Sequence, residues 1–316
     1  MTDFPRLLAT TGAGPRPTVA IVGVGAIGTV VADALSERAA VTLCRRDSTE
    51  PMSIQLGTRT HRVNAAVAGS PEGLTPVDWV VVTVKAQDTA AIGPWLDALV
   101  GPETTVVVLQ NGIGHAERVS EWVSPTQVVP GVVYIAAEKV GGNLVVCRKR
   151  GAVVIGGGPA SERFAALFGE RIDVRVVDDF VTESWNKLVI NAALNTITAL
   201  TDSTMEITAD AGVRPLVRAL LAEAVEVATA EGAVMPEGSA DLILDHMDAL
   251  PRAGATSMLL DRRAGRALEH DYLTGAVLAA ADRHGLPAPM LRMVHGLIDA
   301  LDPRDRSAVR AVTLAA

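Results

Sequence analysis

The chain reads PTVAIV at Pro17–Val22, GVGAIG at Gly23–Gly28, TVVADALSERA to Ala39, and AVTLC at Ala40–Cys44. An apolar run without polar alternation suits a strand buried on both faces. The small and apolar residues of Ile27–Ala39 suit a crossover helix, and a second strand follows. Together they predict one βαβ unit of a doubly wound, mostly parallel sheet. Gly23, Val24, Gly25, Ala26, Ile27 and Gly28 form the predicted dinucleotide loop. Gly23 permits the tight turn, Gly25 lets backbone N–H groups approach a pyrophosphate, and Gly28 lets helix and strand pack closely. The helix start then offers unpaired N–H donors to the anion.

Working outward, Trp79–Val84 and Thr104–Leu109 repeat the buried-strand pattern. From Gly131 the texture changes. Gly131–Glu138 and Leu144–Arg148 flank Gly141-Gly142-Asn143 and predict a hairpin. Ala152–Ile155 and Val174–Val177 predict further strands around a short helix near Glu162–Phe168. After Asp179 strand signals vanish, and Val181–Leu200, Arg214–Glu231, Ala240–Ala249, Thr256–Arg263 and Glu269–His284 predict helices. Pro215 suits the first turn of one of them and Gly232 its end. The expected fold class is α/β, a Rossmann-type doubly wound domain followed by an all-helical C-terminal domain. The expected divisions are a flexible tail over residues 1–17, a nucleotide-binding domain over 18–179 and a helical substrate domain over 180–316.

The end of the second strand bears on the cofactor. An NAD site places an acid about 20 residues after the loop, on the ribose 2′-hydroxyl. Here the chain reads Cys44-Arg45-Arg46-Asp47, so two arginines meet where a 2′-phosphate would lie. NADP(H) is the expected cofactor, and Asp47 leaves NAD open. Lys85 and Asn111 follow predicted strands, where ligands of parallel sheets lie; a loop start or an Asn-Gly turn accounts for them equally well. In WNKLVINAALNTITAL (Trp185–Leu200), Lys187, Asn191 and Asn195 recur every four residues and form one stripe on a helix. The rest of that helix is almost wholly apolar. A buried unpaired amide costs about 1–3 kcal/mol, so this stripe calls for a polar partner such as a substrate in a cleft; a solvated face on a partly exposed helix is the alternative. Ser257 reads as a helix cap and Glu269 as a helix-start acid. His115, His270 and His284 read as surface or loop residues.

Composition narrows the function classes. The chain has 316 residues, Lys+Arg 28 against Asp+Glu 36, and a formal net charge of -8. This balance, with aromatics at 3%, argues against nucleic acid as a partner. No run of about 18 uncharged apolar residues is present, so no membrane span is expected. Histidine and cysteine spacing predicts no metal site. Two widely separated cysteines suit a reducing cytosol, and the first residues lack the pattern of a signal peptide, so a cytoplasmic location is expected.

These motifs, in this order, resemble the ketopantoate reductase (2-dehydropantoate 2-reductase) family. The resemblance runs from Thr18 to about Gly296 and rests on GVGAIG, VKA at Val84–Ala86, LQNG at Leu109–Gly112, WNKLVINAALN at Trp185–Asn195, SMLLD at Ser257–Asp261, and Glu269 running into LTG at Leu273–Gly275. It implies NADPH-dependent reduction of a 2-oxo acid to a 2-hydroxy acid, ketopantoate to pantoate in pantothenate and coenzyme A biosynthesis. It further implies Arg46 on the 2′-phosphate, Lys85 on the adenosine side, and Asn111 between nicotinamide and substrate. The backbone of Ala137 would pass the nicotinamide, and Glu269 would lie near the cofactor ribose. Lys187 would be catalytic, Asn191 and Asn195 would hold substrate oxygens, and Ser257 the carboxylate. Met205, Gly254 and Leu268 depart from the family's usual Asn, Asn and Thr. The partner is a small 2-oxo acid, and a homodimer is compatible with the sequence. The rival readings are a 3-hydroxyacid or opine-type dehydrogenase, or a non-catalytic NADP(H)-sensing protein.

Overall fold

The computed structural model describes residues 15–248 and 253–303. Most of the expected tail, the last thirteen residues of the chain, and Ala249, the predicted end of one helix, lie outside the described residues. In chain order the strands are β1 (Thr18–Val22), β2 (Ala40–Cys44), β3 (Ser53–Leu56), β4 (Arg59–Arg62), β5 (Ala66–Ala68), β6 (Trp79–Val82), β7 (Thr105–Val108), β8 (Val128–Val133), β9 (Ala136–Gly141), β10 (Leu144–Lys149), β11 (Ala152–Gly156) and β12 (Asp173–Val177). The helices are α1 (Ala26–Leu35), α2 (Gly93–Leu99), α3 (His115–Val119), α4 (Pro159–Ala166), α5 (Phe180–Thr201), α6 (Arg214–Ala230), α7 (Ser239–Asp248), α8 (Ser257–Arg263), α9 (Thr274–Arg283) and α10 (Pro289–Asp299).

The main sheet runs β12-β11-β8-β7-β6-β1-β2-β5. Its pairings are parallel except for β8 with β11. β1 lies between β2 and β6, and chain order reverses there. That reversal opens a crevice beyond the C-terminal ends of β1 and β6, where the glycine loop and Lys85 sit. Val22, Val82 and Val108 at those strand ends are essentially buried, so the sheet is a rigid floor to the crevice.

A second sheet, β4-β3-β10-β9, packs on α1. The predicted strand Gly131–Glu138 is two strands in two sheets. Tyr134 still donates its N–H to the Ala152 carbonyl at 2.8 Å, and then the chain crosses so that Ala137 pairs with Cys147. Gly151, at φ +52, lies so close to the Tyr134 carbonyl that no side chain would fit. β3, β4 and β5 are additions to the predicted strands; β4 reads RTHR and has no apolar face to mark it.

After β12 come the helices. The Asp179 carboxylate accepts the Thr182 N–H at 3.0 Å and caps the buried α5. α6, α8, α9 and α10 pack around α5, burying Leu188, Val189, Leu220, Leu221 and Leu291. The predicted helix Glu269–His284 is broken: a 3-10 turn over His270–Tyr272 precedes α9, with Leu273 non-helical between them. α10 is an unpredicted helix. Among the described residues no helix is long and apolar enough to cross a membrane.

Candidate active site

The glycine loop behaves as its spacing predicts. Gly23 has φ +102, and a Cβ there would collide with the backbone of Val84. A Cβ on Gly28 would collide with the Gly23 carbonyl and the Thr83 hydroxyl, which itself donates to that carbonyl at 2.6 Å. At Gly25 a Cβ would meet nothing within 4 Å. Gly25 is the N-cap of α1, and no side chain caps that helix. The first-turn N–H groups thus have no side-chain cap and the space beside Gly25 is open, which suits an anionic pyrophosphate. Val24 is buried, while Ala26 and Ile27 pack against the core beneath the loop.

The two arginines after β2 separate. Arg45 turns inward, 6% exposed, and grips both Asp47 carboxylate oxygens at 2.6 and 2.7 Å. Arg46 is exposed and makes no hydrogen bond or ion pair among the described residues. Only one of the two guanidinium groups is thus free to meet a phosphate, because burial of the other requires its carboxylate partner.

On the helical side Glu269 is the hub. Its side chain is 5% exposed. Its carboxylate accepts from Lys85 Nζ, the Ala86 N–H and Asn111 Nδ2, each at 3.1 Å. Burial pushes the Glu269 carboxyl up, but the Lys85 charge and these hydrogen bonds outweigh it and hold it below the ordinary value. Burial likewise opposes the Lys85 charge, and Glu269 and Asp261 overcome it. Asp261 accepts from Lys85 at 2.7 Å and from Arg266 Nε at 2.9 Å. The resemblance puts Lys85 on the adenosine side; the structure seats its ammonium between two carboxylates of the helical part, beside Asn111. Gly112, at φ +86, passes against the Tyr272 carbonyl, and Arg118 covers the Tyr272 ring at 5.2 Å. Asn111 and Gly112 thus lie together against the Glu269–Tyr272 segment.

The polar stripe on α5 faces the same region. Lys187 Nζ donates to the Val133 carbonyl at 2.6 Å and lies 5.5 Å from the Tyr134 ring centre. Burial lowers its pKa to about 8, against the pull of Glu269 and Glu183. Asn195 is 5% exposed, Asn191 is half-buried, and neither amide has a hydrogen-bond partner among the described residues. Ser257 is exposed at the first turn of α8. Its expected capping role falls to Thr256, whose hydroxyl accepts the Leu259 N–H at 3.2 Å and shares a hydrogen bond with Thr198. Ala137 stands in β9 of the second sheet, four residues after Val133, whose carbonyl accepts from Lys187.

Two histidines expected at the surface are buried. His115 bonds the Gln110 carbonyl, and burial lowers its pKa to about 3. His270 is 1% exposed and meets Asp299 at 3.1 Å. His284 is half-exposed and pairs with Glu231. Sequence reasoning gave no role to Asp261 or Arg118. Asp261 stands one helical turn after Ser257, the only local signal that could have marked it.

Residues 19–160 match the model described as "Ketopantoate reductase PanE/ApbA", and residues 179–302 the model of its C-terminal part. The chain belongs to the ketopantoate reductase family. It is 37% identical to a 2-dehydropantoate 2-reductase of Caulobacter vibrioides, over 90% of this chain and 98% of that one. It is 35% identical to one of Mycobacterium tuberculosis, covering 86% and 93%. A dimeric ketopantoate reductase of Staphylococcus aureus superposes with a TM-score of 0.82 at 26% identity, covering 90% and 98%. Membership makes the chain an oxidoreductase with a Rossmann-type nucleotide fold and a nicotinamide cofactor.

Proposed function

We propose that this chain reduces ketopantoate to pantoate with NADPH. The observation that carries the reading is Lys187. It is a proton-bearing group in an apolar setting, aligned with two amides that lack partners, and it feels the charge of the Glu269 cluster. The names of the relatives supply the substrate. The exposed, unpaired Arg46 supports NADPH over NADH. When bound, the cofactor supplies a hydride to the substrate carbonyl carbon.

The residues of this chain do the rest. Gly23–Gly28 bind the pyrophosphate with backbone N–H groups, and Arg46 takes the 2′-phosphate. Glu269, held by Lys85 and Ala86, orients the Asn111 amide at the nicotinamide end. Lys187 stabilises the charge growing on the carbonyl oxygen and gives it a proton. With a pKa of about 8 it is protonated at neutral pH and close to the value that favours transfer. Asn191 and Asn195 orient substrate oxygens, and Ser257 takes the carboxylate. The S. aureus neighbour supports a homodimer. The two free buried cysteines suit a reducing cytoplasm.

The test is NADPH and NADH oxidation with a panel of 2-oxo and 3-oxo acids. Ketopantoate with NADPH should give the highest kcat/KM. A higher value with a 3-oxo acid would move the chain to the 3-hydroxyacid dehydrogenase reading.

A further inference from the structure

We propose that Arg45 is a specificity-determining residue for NADPH, acting by holding the Asp47 carboxylate away from Arg46. The inference rests on the NADPH reading above. Asp47 directly follows Arg46 and lies near the position where an acid would read the 2′-hydroxyl of NAD. An unheld carboxylate there would pair with the exposed Arg46 guanidinium and compete with a 2′-phosphate for it.

The structure removes that competitor. Arg45 presents Nε and Nη2 to the two Asp47 oxygens at 2.6 and 2.7 Å, the two-pronged geometry that a guanidinium offers a carboxylate. The Arg45 end is itself fixed. Its Nη1 donates to Asn143 Oδ1 at 2.8 Å and lies 2.9 Å from Met52 Sδ. Asn143, in the turn between β9 and β10, also donates to Glu50 at 2.9 Å. Lys139 of β9 also approaches Asp47, at 3.6 Å from Oδ2. The second sheet thus braces the clamp. The hydrogen bond from Arg45 is the largest cause that pulls the Asp47 carboxyl down to about 2, so it is ionised and held throughout the working pH range. Of Arg45, Arg46 and Lys139, only Arg46 has no side-chain partner among the described residues.

The experiment is fluorescence titration of NADPH and NADH at low ionic strength, where exposed charges act most strongly. Circular dichroism confirms that each variant is folded. A natural chain that binds NADH as well as NADPH overturns the underlying NADPH reading; Arg46→Ala should abolish the preference, and an unchanged preference overturns the Arg46 assignment and this inference with it. Arg45→Met should reduce the preference about tenfold, because Asp47 is released onto Arg46. Adding Asp47→Asn to Arg45→Met should restore it to within about twofold of the natural chain. Equal loss in the single and double variants overturns the proposal, as does no loss in Arg45→Met. Should Arg45→Met not fold, Arg45→Lys keeps a cation with a single prong. It should lose less, about threefold, and recover with Asp47→Asn. No loss there, or loss without recovery, is likewise decisive against it.

Discussion

At the residue scale the proposed role of Lys187 sets the expected pH behaviour. Burial is the largest influence on it and lowers its pKa from 10.5 to about 8. Its ammonium is therefore the acid form below pH 8, and reduction should slow as pH rises through that value. The predicted kcat/KM profile for ketopantoate is flat near neutrality and falls about tenfold per pH unit well above 8. The linkage runs the other way for stability. Between 8 and 10.5 the unfolded chain keeps a proton that the folded one has lost, so folded stability gains as pH rises across that window. Lys187→Met should remove that gain, visible as a flatter plot of Tm against pH. Lys187, Asn191 and Asn195 were legible from spacing alone, since i, i+4, i+8 lines three polar groups along one side of an otherwise apolar helix. Glu269 was legible only through resemblance, because its partners Lys85, Ala86 and Asn111 stand 184, 183 and 158 positions away.

At the element scale the glycine loop and α1 separate folding from binding. Gly28→Ala puts a methyl against the Gly23 carbonyl and the Thr83 hydroxyl, and overpacking of this kind costs about 1–3 kcal/mol. Gly25→Ala meets open space, and the backbone there, φ -87 and ψ -156, is one that alanine accepts. The expected result is a lowered Tm for Gly28→Ala and a nearly unchanged Tm for Gly25→Ala, with NADPH affinity at least about tenfold weaker in the latter. Thermal unfolding and titration read both. The buried strands β1, β2, β6 and β7 were legible because both faces are apolar. The hairpin of β9 and β10 about Gly141-Gly142-Asn143 was legible too, although not the crossing of Gly131–Glu138 from one sheet to the other; β4 was not, since RTHR carries no apolar period. The break at Leu273 was hidden because 3-10 and α segments share similar residues; what makes the break useful is Glu269 reaching Ala86.

At the scale of the whole molecule, Lys85 fastens the sheet to the helices. It stands between Asp261 and Glu269, whose side chains are each 5% exposed. Removing one member of a buried charge cluster costs about 3–5 kcal/mol, and Lys85, at 38% exposure, should fall near or below the lower end. Lys85→Met should therefore lower Tm at neutral pH. The Glu269 carboxyl is held below 4.5 in the folded chain, so its stabilisation is present above that value and lost as pH falls below it. In Lys85→Met that acid-dependent loss should shrink, because without the Lys85 charge burial moves the Glu269 carboxyl back up. The central claim remains that Lys187 delivers the proton in a site built across both parts. It is tested most directly by the turnover of Lys187→Ala with ketopantoate and NADPH, alongside its NADPH affinity. The account predicts a kcat lower by about 10²–10⁴-fold with NADPH binding retained. A near-normal kcat in a variant that still binds NADPH would contradict it.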